Sequence, residues 1–197
     1  MGRVSRSIRR NGFRLPRTRN IGNKILRGIT RWFLLCFVAA IFGYAISAFF
    51  FQTVHVTGPS MQPLLADSDV VLVNKLAPGL MKLKRFDVVA YKLVGTDQYY
   101  DIKCVVGLPG ETLQISNGAI IVDGVEIKDT PWEERIQTAG LAETVVKLDK
   151  GEYFLLGYNV NNSEDSRFSS VGNVSKTEIL GRVIYRISPK DKRGKIK

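Results

Sequence analysis

Histidine is almost absent from this chain: there is one, His55, in 197 residues. That scarcity excludes a histidine-rich metal site and leaves one position from which an imidazole could activate a nucleophile. Cysteine is nearly as scarce, with only Cys36 and Cys104. The two lie in different segments, one in an apolar run and one in the body, so no internal disulfide is expected. No His/Cys cluster has metal-ligand spacing, and neither a metal nor another cofactor is expected. Acidic residues are missing from residues 1–31, which carry ten Lys/Arg (Arg3, Arg6, Arg9, Arg10, Arg14, Arg17, Arg19, Lys24, Arg27 and Arg31). The other 19 basic and 18 acidic residues nearly cancel, so the net charge of +11 belongs to the tail rather than to the body.

Charge is then missing altogether from the 20 residues Trp32–Phe51. At about 1.5 Å per helical residue such a run crosses a hydrocarbon core of about 30 Å. It is longer than the roughly 7–15-residue apolar core of a cleaved signal peptide, which favours an uncleaved signal anchor. Basic residues stay on the cytoplasmic side, so the N-terminus is expected inside and residues from Gln52 onward outside. This requirement explains the basic tail without nucleic acid, which is not expected as a partner; a phospholipid membrane is. The organisation read here is a basic tail (1–31), a membrane helix (32–51), a short exit segment (52–57) and a body (58–197), with 52–197 forming the outside domain.

The body reads as mainly β. Runs rich in Val, Ile and Tyr recur at Val70–Val73, Asp87–Lys92, Tyr99–Val106, Thr112–Ile115, Ala119–Val122, Glu152–Leu156 and Arg182–Ile187. The breaks between them are Ala77-Pro78-Gly79, Val94-Gly95-Thr96-Asp97, Leu108-Pro109-Gly110, Ser116-Asn117-Gly118 and Asp123-Gly124. Asn117-Gly118 and Asp123-Gly124, flanked by apolar residues, are strong hairpin signals. Residues 130–144 show no period and read as an irregular excursion with room for one helical turn. The basic C-terminal residues 190–197 read as a frayed fringe.

Gly58-Pro59-Ser60-Met61-Gln62-Pro63 follows the apolar run closely. It puts a serine on a sharp turn where the chain leaves a membrane. A serine hydroxyl needs a base to take its proton. His55 is a poor candidate, because in Val54-His55-Val56 the two valines share one face and the histidine takes the other. A lysine serves if it is neutral, and burial in low dielectric favours the neutral form. Lys103 lies within the apolar run Ile102-Lys103-Cys104-Val105-Val106, whereas Lys82, Lys84, Lys150 and Lys176 lie in polar loops. The competing reading is an outward lysine on a half-exposed strand. A third polar cluster, Asn161–Arg167, could brace a lysine amine or be an ordinary polar turn.

Together these three stretches resemble bacterial type I signal peptidases. The family pattern is a membrane anchor, a Gly-x-Ser-Met-x-Pro box, a Lys-(Arg)-Val-x-Gly-Leu-Pro-Gly-(Asp/Glu) box and a Gly-Asp-Asn-x-x-Asn-Ser-x-Asp-Ser-Arg box. It is matched by residues 58–63, 103–111 and 157–167, and the resemblance spans roughly residues 30–190. It implies a single transmembrane helix followed by an antiparallel β-sheet catalytic domain. The implied activity is removal of N-terminal signal peptides from exported proteins at the outer face of the cell membrane. It implies Ser60 as nucleophile and Lys103 as general base. The Ser60 N–H would help form the oxyanion hole, where Gly58 supplies no hydroxyl. Ser163 would orient Lys103, Asp165 and Arg167 would brace the loop, and Val54, Val56, Met61, Leu65 and Ile102 would line shallow pockets for small P1 and P3 side chains. A substrate strand would pair beside residues 54–58 and 100–102.

Three positions depart from the pattern. Cys104 and Tyr158 stand where the family carries an Arg and an Asp that pair, and Val160 replaces a common Arg. Because both partners of the pair are missing, no lone buried charge is left. The alternatives are a peptidase-like assembly factor for surface structures such as pili, a self-cleaving repressor protease, and a membrane-tethered β module without catalysis. Retention of Ser60 and Lys103 argues against the first. The apolar run and the lack of a DNA-binding N-terminal domain argue against the second.

Overall fold

The computed structural model describes residues 21–76, 82–93 and 99–196. Most of the basic tail, the breaks at Ala77-Pro78-Gly79 and Val94-Gly95-Thr96-Asp97, and Lys197 lie outside the described residues. The chain divides into two units, 1–45 and 46–197. The first is dominated by helix α1 (Ile21–Phe50), of which Ile25–Phe50 is long and apolar enough to cross a membrane. Its large side chains are bare: Trp32, Phe33, Phe42 and Tyr44 are all exposed. A helix apolar on all sides and unburied is suited to lipid. It starts earlier than the expected Trp32 and ends one residue before the expected Phe51, which already belongs to a strand.

The second unit is mainly antiparallel β. Strands β1 (Phe51–His55), β2 (Val70–Asn74), β3 (Val88–Lys92), β4 (Tyr100–Gly107), β9 (Glu152–Leu156), β10 (Val174–Ser175), β11 (Ile179–Ser188) and β12 (Gly194–Lys195) form one sheet. Its order is β1-β2-β11-β3-β4-β9-β10, with β12 on β11. Strands β5 (Thr112–Ser116), β6 (Ala119–Val122), β7 (Val125–Glu126) and β8 (Val146–Lys147) form a second sheet in the order β7-β6-β5-β8. The two hairpin signals both hold. Asn117 and Gly118 have φ of 51° and 75°, and Asp123 and Gly124 have 49° and 79°, the positive pairs that two-residue hairpin turns need. The irregular excursion contains one 3-10 turn, Gly140–Glu143.

Two expectations need correction. The strand expected at Arg182–Ile187 begins three residues earlier, at Ile179. A Cβ at Gly181 would overlap the Asn74 carbonyl, so glycine allows β11 to close against β2 there. The C-terminal fringe is not frayed throughout, because β12 pairs Lys195 with Tyr185 and Gly194 with Arg186.

β4 holds the site together. It is hydrogen-bonded to β3 on one side and β9 on the other, and every residue from Ile102 to Gly107 is buried. Strands buried on both faces lose polar alternation. Accordingly Ile102 and Cys104 join one apolar cluster with Val54, Met61 and Val73, while Val105 joins another with Val89 and Tyr91. Lys103 sits opposite Val89 in this ladder, on the face of Val105.

Candidate active site

Two loops bring Ser60 to β4. The first joins β1 to β2 and is pinned at both ends: Val56 N–H donates to the Asp69 carbonyl at 2.8 Å, and Ser68 N–H to the Val56 carbonyl at 2.9 Å. Within it, Gly58 adopts φ +79°, which favours glycine, and its N–H donates to Asp67 Oδ1 at 2.7 Å. That bond, with one from the Ser68 hydroxyl, holds the Asp67 carboxyl below its ordinary range. The second loop follows β9. Asn159 N–H donates to the Ser60 carbonyl at 2.8 Å, and Asn159 Nδ2 to the Pro59 carbonyl at 3.3 Å. At Gly157 the loops meet so closely that a Cβ would overlap both the Ser163 side chain and the Ser60 carbonyl oxygen.

Within this frame, Lys103 Nζ donates to Ser60 Oγ at 3.1 Å. Lys103 is only 2% exposed, so the outward-lysine alternative does not describe this residue. His55 is exposed on β1 while Val54 and Val56 are buried. Cys104, next to Lys103, is no rival nucleophile. Burial first, and the charge of Asp87 second, push its thiol up to about 12, so it stays protonated at neutral pH.

The bond expected from Ser163 to Lys103 is absent. Ser163 Oγ is buried and has no hydrogen-bond partner among the described residues. The amine instead meets a group that the sequence reading passed over: Asp101 Oδ2, at 2.5 Å. The signal was present in the sequence. Residues i and i+2 of a strand share a face, so an acid two before a buried lysine is its natural partner.

Asp165 and Arg167 are both buried and bonded to each other. Asp165 Oδ2 accepts the Gly157 N–H at 3.0 Å, and Arg167 Nη1 and Nη2 donate to the carbonyls of Thr138 and Val160 at 3.0 and 2.6 Å. The pair therefore ties the Gly157 end of the loop to its Arg167 end, as bracing requires.

Val54, Val56, Met61, Leu65 and Ile102 occupy a single core cluster and are each at most 6% exposed. None of them lines the open cleft of about 630 Å³ beside Ser60. That cleft is bounded by Thr57, Pro59, Tyr99, Tyr100, Asn162 and Ser163, together with Asp101 and Lys103. The expected wall is thus packed core in this structure, because Val54 and Val56 turn inward together and Ile102 points to the face of β4 opposite Lys103. Of the departures from the family pattern, Tyr158 packs on the cluster that contains Cys104, and Val160 is buried in a third cluster with Phe154 and Leu156.

The family model described as signal peptidase, peptidase S26, matches residues 29–188. Signal peptidase I P of Bacillus subtilis subsp. natto is 31% identical over 161 residues, covering 78% of this chain and 85% of that protein. Signal peptidase I T of Bacillus subtilis (strain 168) is 30% identical over 158 residues, covering 76% and 80%. A crystal structure of a signal peptidase I from Enterococcus faecalis V583 is 24% identical with a TM-score of 0.42, covering 51% of this chain and 96% of that one. The match across residues 29–188 makes the chain a member of the peptidase S26 family of signal peptidases.

Proposed function

We propose that this signal peptidase removes N-terminal signal peptides from exported preproteins with Ser60 as nucleophile and Lys103 as general base. The observation that carries the reading is the 3.1 Å bond between Lys103 Nζ and Ser60 Oγ on a buried lysine. In the reaction Ser60 Oγ attacks the scissile carbonyl while its proton passes to the neutral Lys103 amine. The Ser60 N–H donates to the developing oxyanion. Collapse of the intermediate breaks the C–N bond, and the Lys103 ammonium returns the proton to the leaving amine. Water then releases the acyl group by the same steps in reverse order. Gly58 contributes backbone shape only, while Asp165 and Arg167 brace the loop whose Asn159 N–H holds the Ser60 carbonyl.

Specificity follows from packing. Met61 follows Ser60 directly and is buried with Val54, Val56, Leu65 and Ile102. Because these side chains fill the core and do not line the cleft, they open no deep pocket there, and the side chains read at P1 and P3 are small. The substrate strand pairs in the cleft beside Tyr100 and Asp101. The anchor is residues 32–50 of α1. The basic tail (1–31) stays cytoplasmic, and the peptidase domain (52–197) lies outside, at the surface of the phospholipid bilayer.

The test is cleavage of a preprotein whose leader ends in Ala-x-Ala by the full chain in detergent. Cleavage after the last Ala is expected, with no product from Ser60→Ala and none from a substrate with Leu at P1. Undiminished cleavage by Ser60→Ala would overturn the assignment of the nucleophile. Equal use of Leu and Ala would overturn the packing account.

A further inference from the structure

Lys103 has a second polar partner that the dyad chemistry does not require. Asp101 Oδ2 lies 2.5 Å from Nζ, and Asp101 Oδ1 accepts the Ile102 N–H at 2.7 Å, which pins the carboxylate. The Asp101 side chain is 23% exposed at the rim of the cleft and that of Lys103 is 2% exposed beneath it. The other titratable and charged groups around them are spoken for. From β3, Tyr91 reaches Asp101 Oδ2 at 3.5 Å; burial and the charges of Asp101 and Asp165 push its phenol up, so it stays neutral. From the loop after β9, Asp165 is bonded to Arg167, and Glu164 to the Ser170 hydroxyl. The β1–β2 loop presents Ser60, and its Asp67 is engaged by Gly58. Asp101 is therefore the carboxylate in direct contact with the amine.

We infer that Asp101 is a positioning residue that aims the Lys103 amine at Ser60 and stabilises the ammonium formed when Ser60 gives up its proton. The inference rests on the Ser60–Lys103 reading above. The logic is that of a carboxylate behind an imidazole in a serine triad: it orients the base and opposes the charge that develops on it, without taking the proton itself. The same contact has a cost in the resting enzyme. A carboxylate beside the amine favours the ammonium, which is not a base. Asp101 thus supports the ammonium formed in the reaction and opposes loss of the same proton in the resting enzyme.

These two effects move in opposite directions when the charge is removed, which a merely structural residue would not produce. Rates of leader cleavage against pH are compared for the full chain in detergent and for Asp101→Asn, with Ser60→Ala and Lys103→Ala as controls. Asp101→Asn keeps an acceptor oxygen in place but no charge. Its acidic limb is expected to move down by about one to three pH units, the effect of one adjacent opposite charge. Its alkaline plateau is expected to fall by roughly tenfold, a fraction of the ~10²–10⁴-fold that a general base contributes. Well below both limbs the variant then equals wild type for a shift of about one unit and exceeds it by up to about a hundredfold for a shift of about three. A lowered plateau with an unmoved limb, a limb moved upward, or a profile that overlays wild type would each overturn the inference while the silent controls leave the dyad standing. Active controls would instead overturn the dyad reading, and the role of Asp101 with it. If Asp101→Asn does not fold, Asp101→Ser is read in the same way, with the same shift of the limb expected.

Discussion

Arg167 and Asp165 are joined by two side-chain bonds, Nε to Oδ1 and Nη2 to Oδ2, each at 2.8 Å, with both side chains at most 2% exposed. No solvent is at hand to replace either partner. Removing one leaves the other as an uncompensated buried charge, which costs about 3–5 kcal/mol.

Asp165→Ala and Arg167→Ala are therefore each expected to lower unfolding free energy by about that amount. Activity should fall as well, because Gly157 and the Ser60 carbonyl hang on the same loop. Denaturant unfolding in detergent checks this. A loss below about 1 kcal/mol, the range of an exposed pair, would contradict the bracing role.

Cys104 and Tyr158 make the converse case. Cys104 is 1% exposed and Tyr158 packs on its cluster. Cys104→Arg alone places an unpaired guanidinium in the core and is expected to cost about 3–5 kcal/mol. Adding Tyr158→Asp should recover more than half of that cost, because the guanidinium then gains a carboxylate partner. A double-mutant cycle measures the coupling. Additive losses would show that the two positions do not face each other.

Acid stability follows from two exposed carboxylates. Asp67 and Asp123 are held below their ordinary value of 3.8, Asp67 chiefly by the Gly58 N–H and Asp123 by the Thr112 N–H. A depressed folded-state value means stability that is complete above the unfolded value and is lost as pH falls through the folded one. Unfolding free energy should therefore drop below about pH 4, and Asp67→Asn or Asp123→Asn should flatten the drop. An unchanged slope in both variants would contradict the linkage.

Much of the fold was legible because the signals were local. The strands Ala119–Val122 and Glu152–Leu156 match their expected bounds, since each is a short run rich in apolar residues closed at both ends by Asn-Gly, Asp-Gly or Gly. β12 was not legible, because Gly194-Lys195 becomes a strand only through its pairing with β11. Ser60 and Lys103 could be picked out by their motifs and surroundings. The rest of the site depends on geometry that no motif encodes. An apolar residue such as Ile102 reads the same whether it lines a pocket or fills a core. Ser163 matches the resembled motif by type, yet its hydroxyl has no partner among the described residues while Asp101 holds the amine. Only the face-sharing of Asp101 and Lys103 on β4 pointed to that contact.

The central claim is that Ser60 and Lys103 act as one unit, and a kinetic double-mutant cycle tests it most directly. Single-turnover leader cleavage is measured for the full chain, Ser60→Ala, Lys103→Ala and the double variant, with His55→Ala as reference. Residues that act as a unit are not additive. Each single variant is expected to lose as much activity as the double, on the order of 10⁴-fold or more, while His55→Ala stays near wild type. Additive losses, or an active Lys103→Ala beside a dead His55→Ala, would contradict the account.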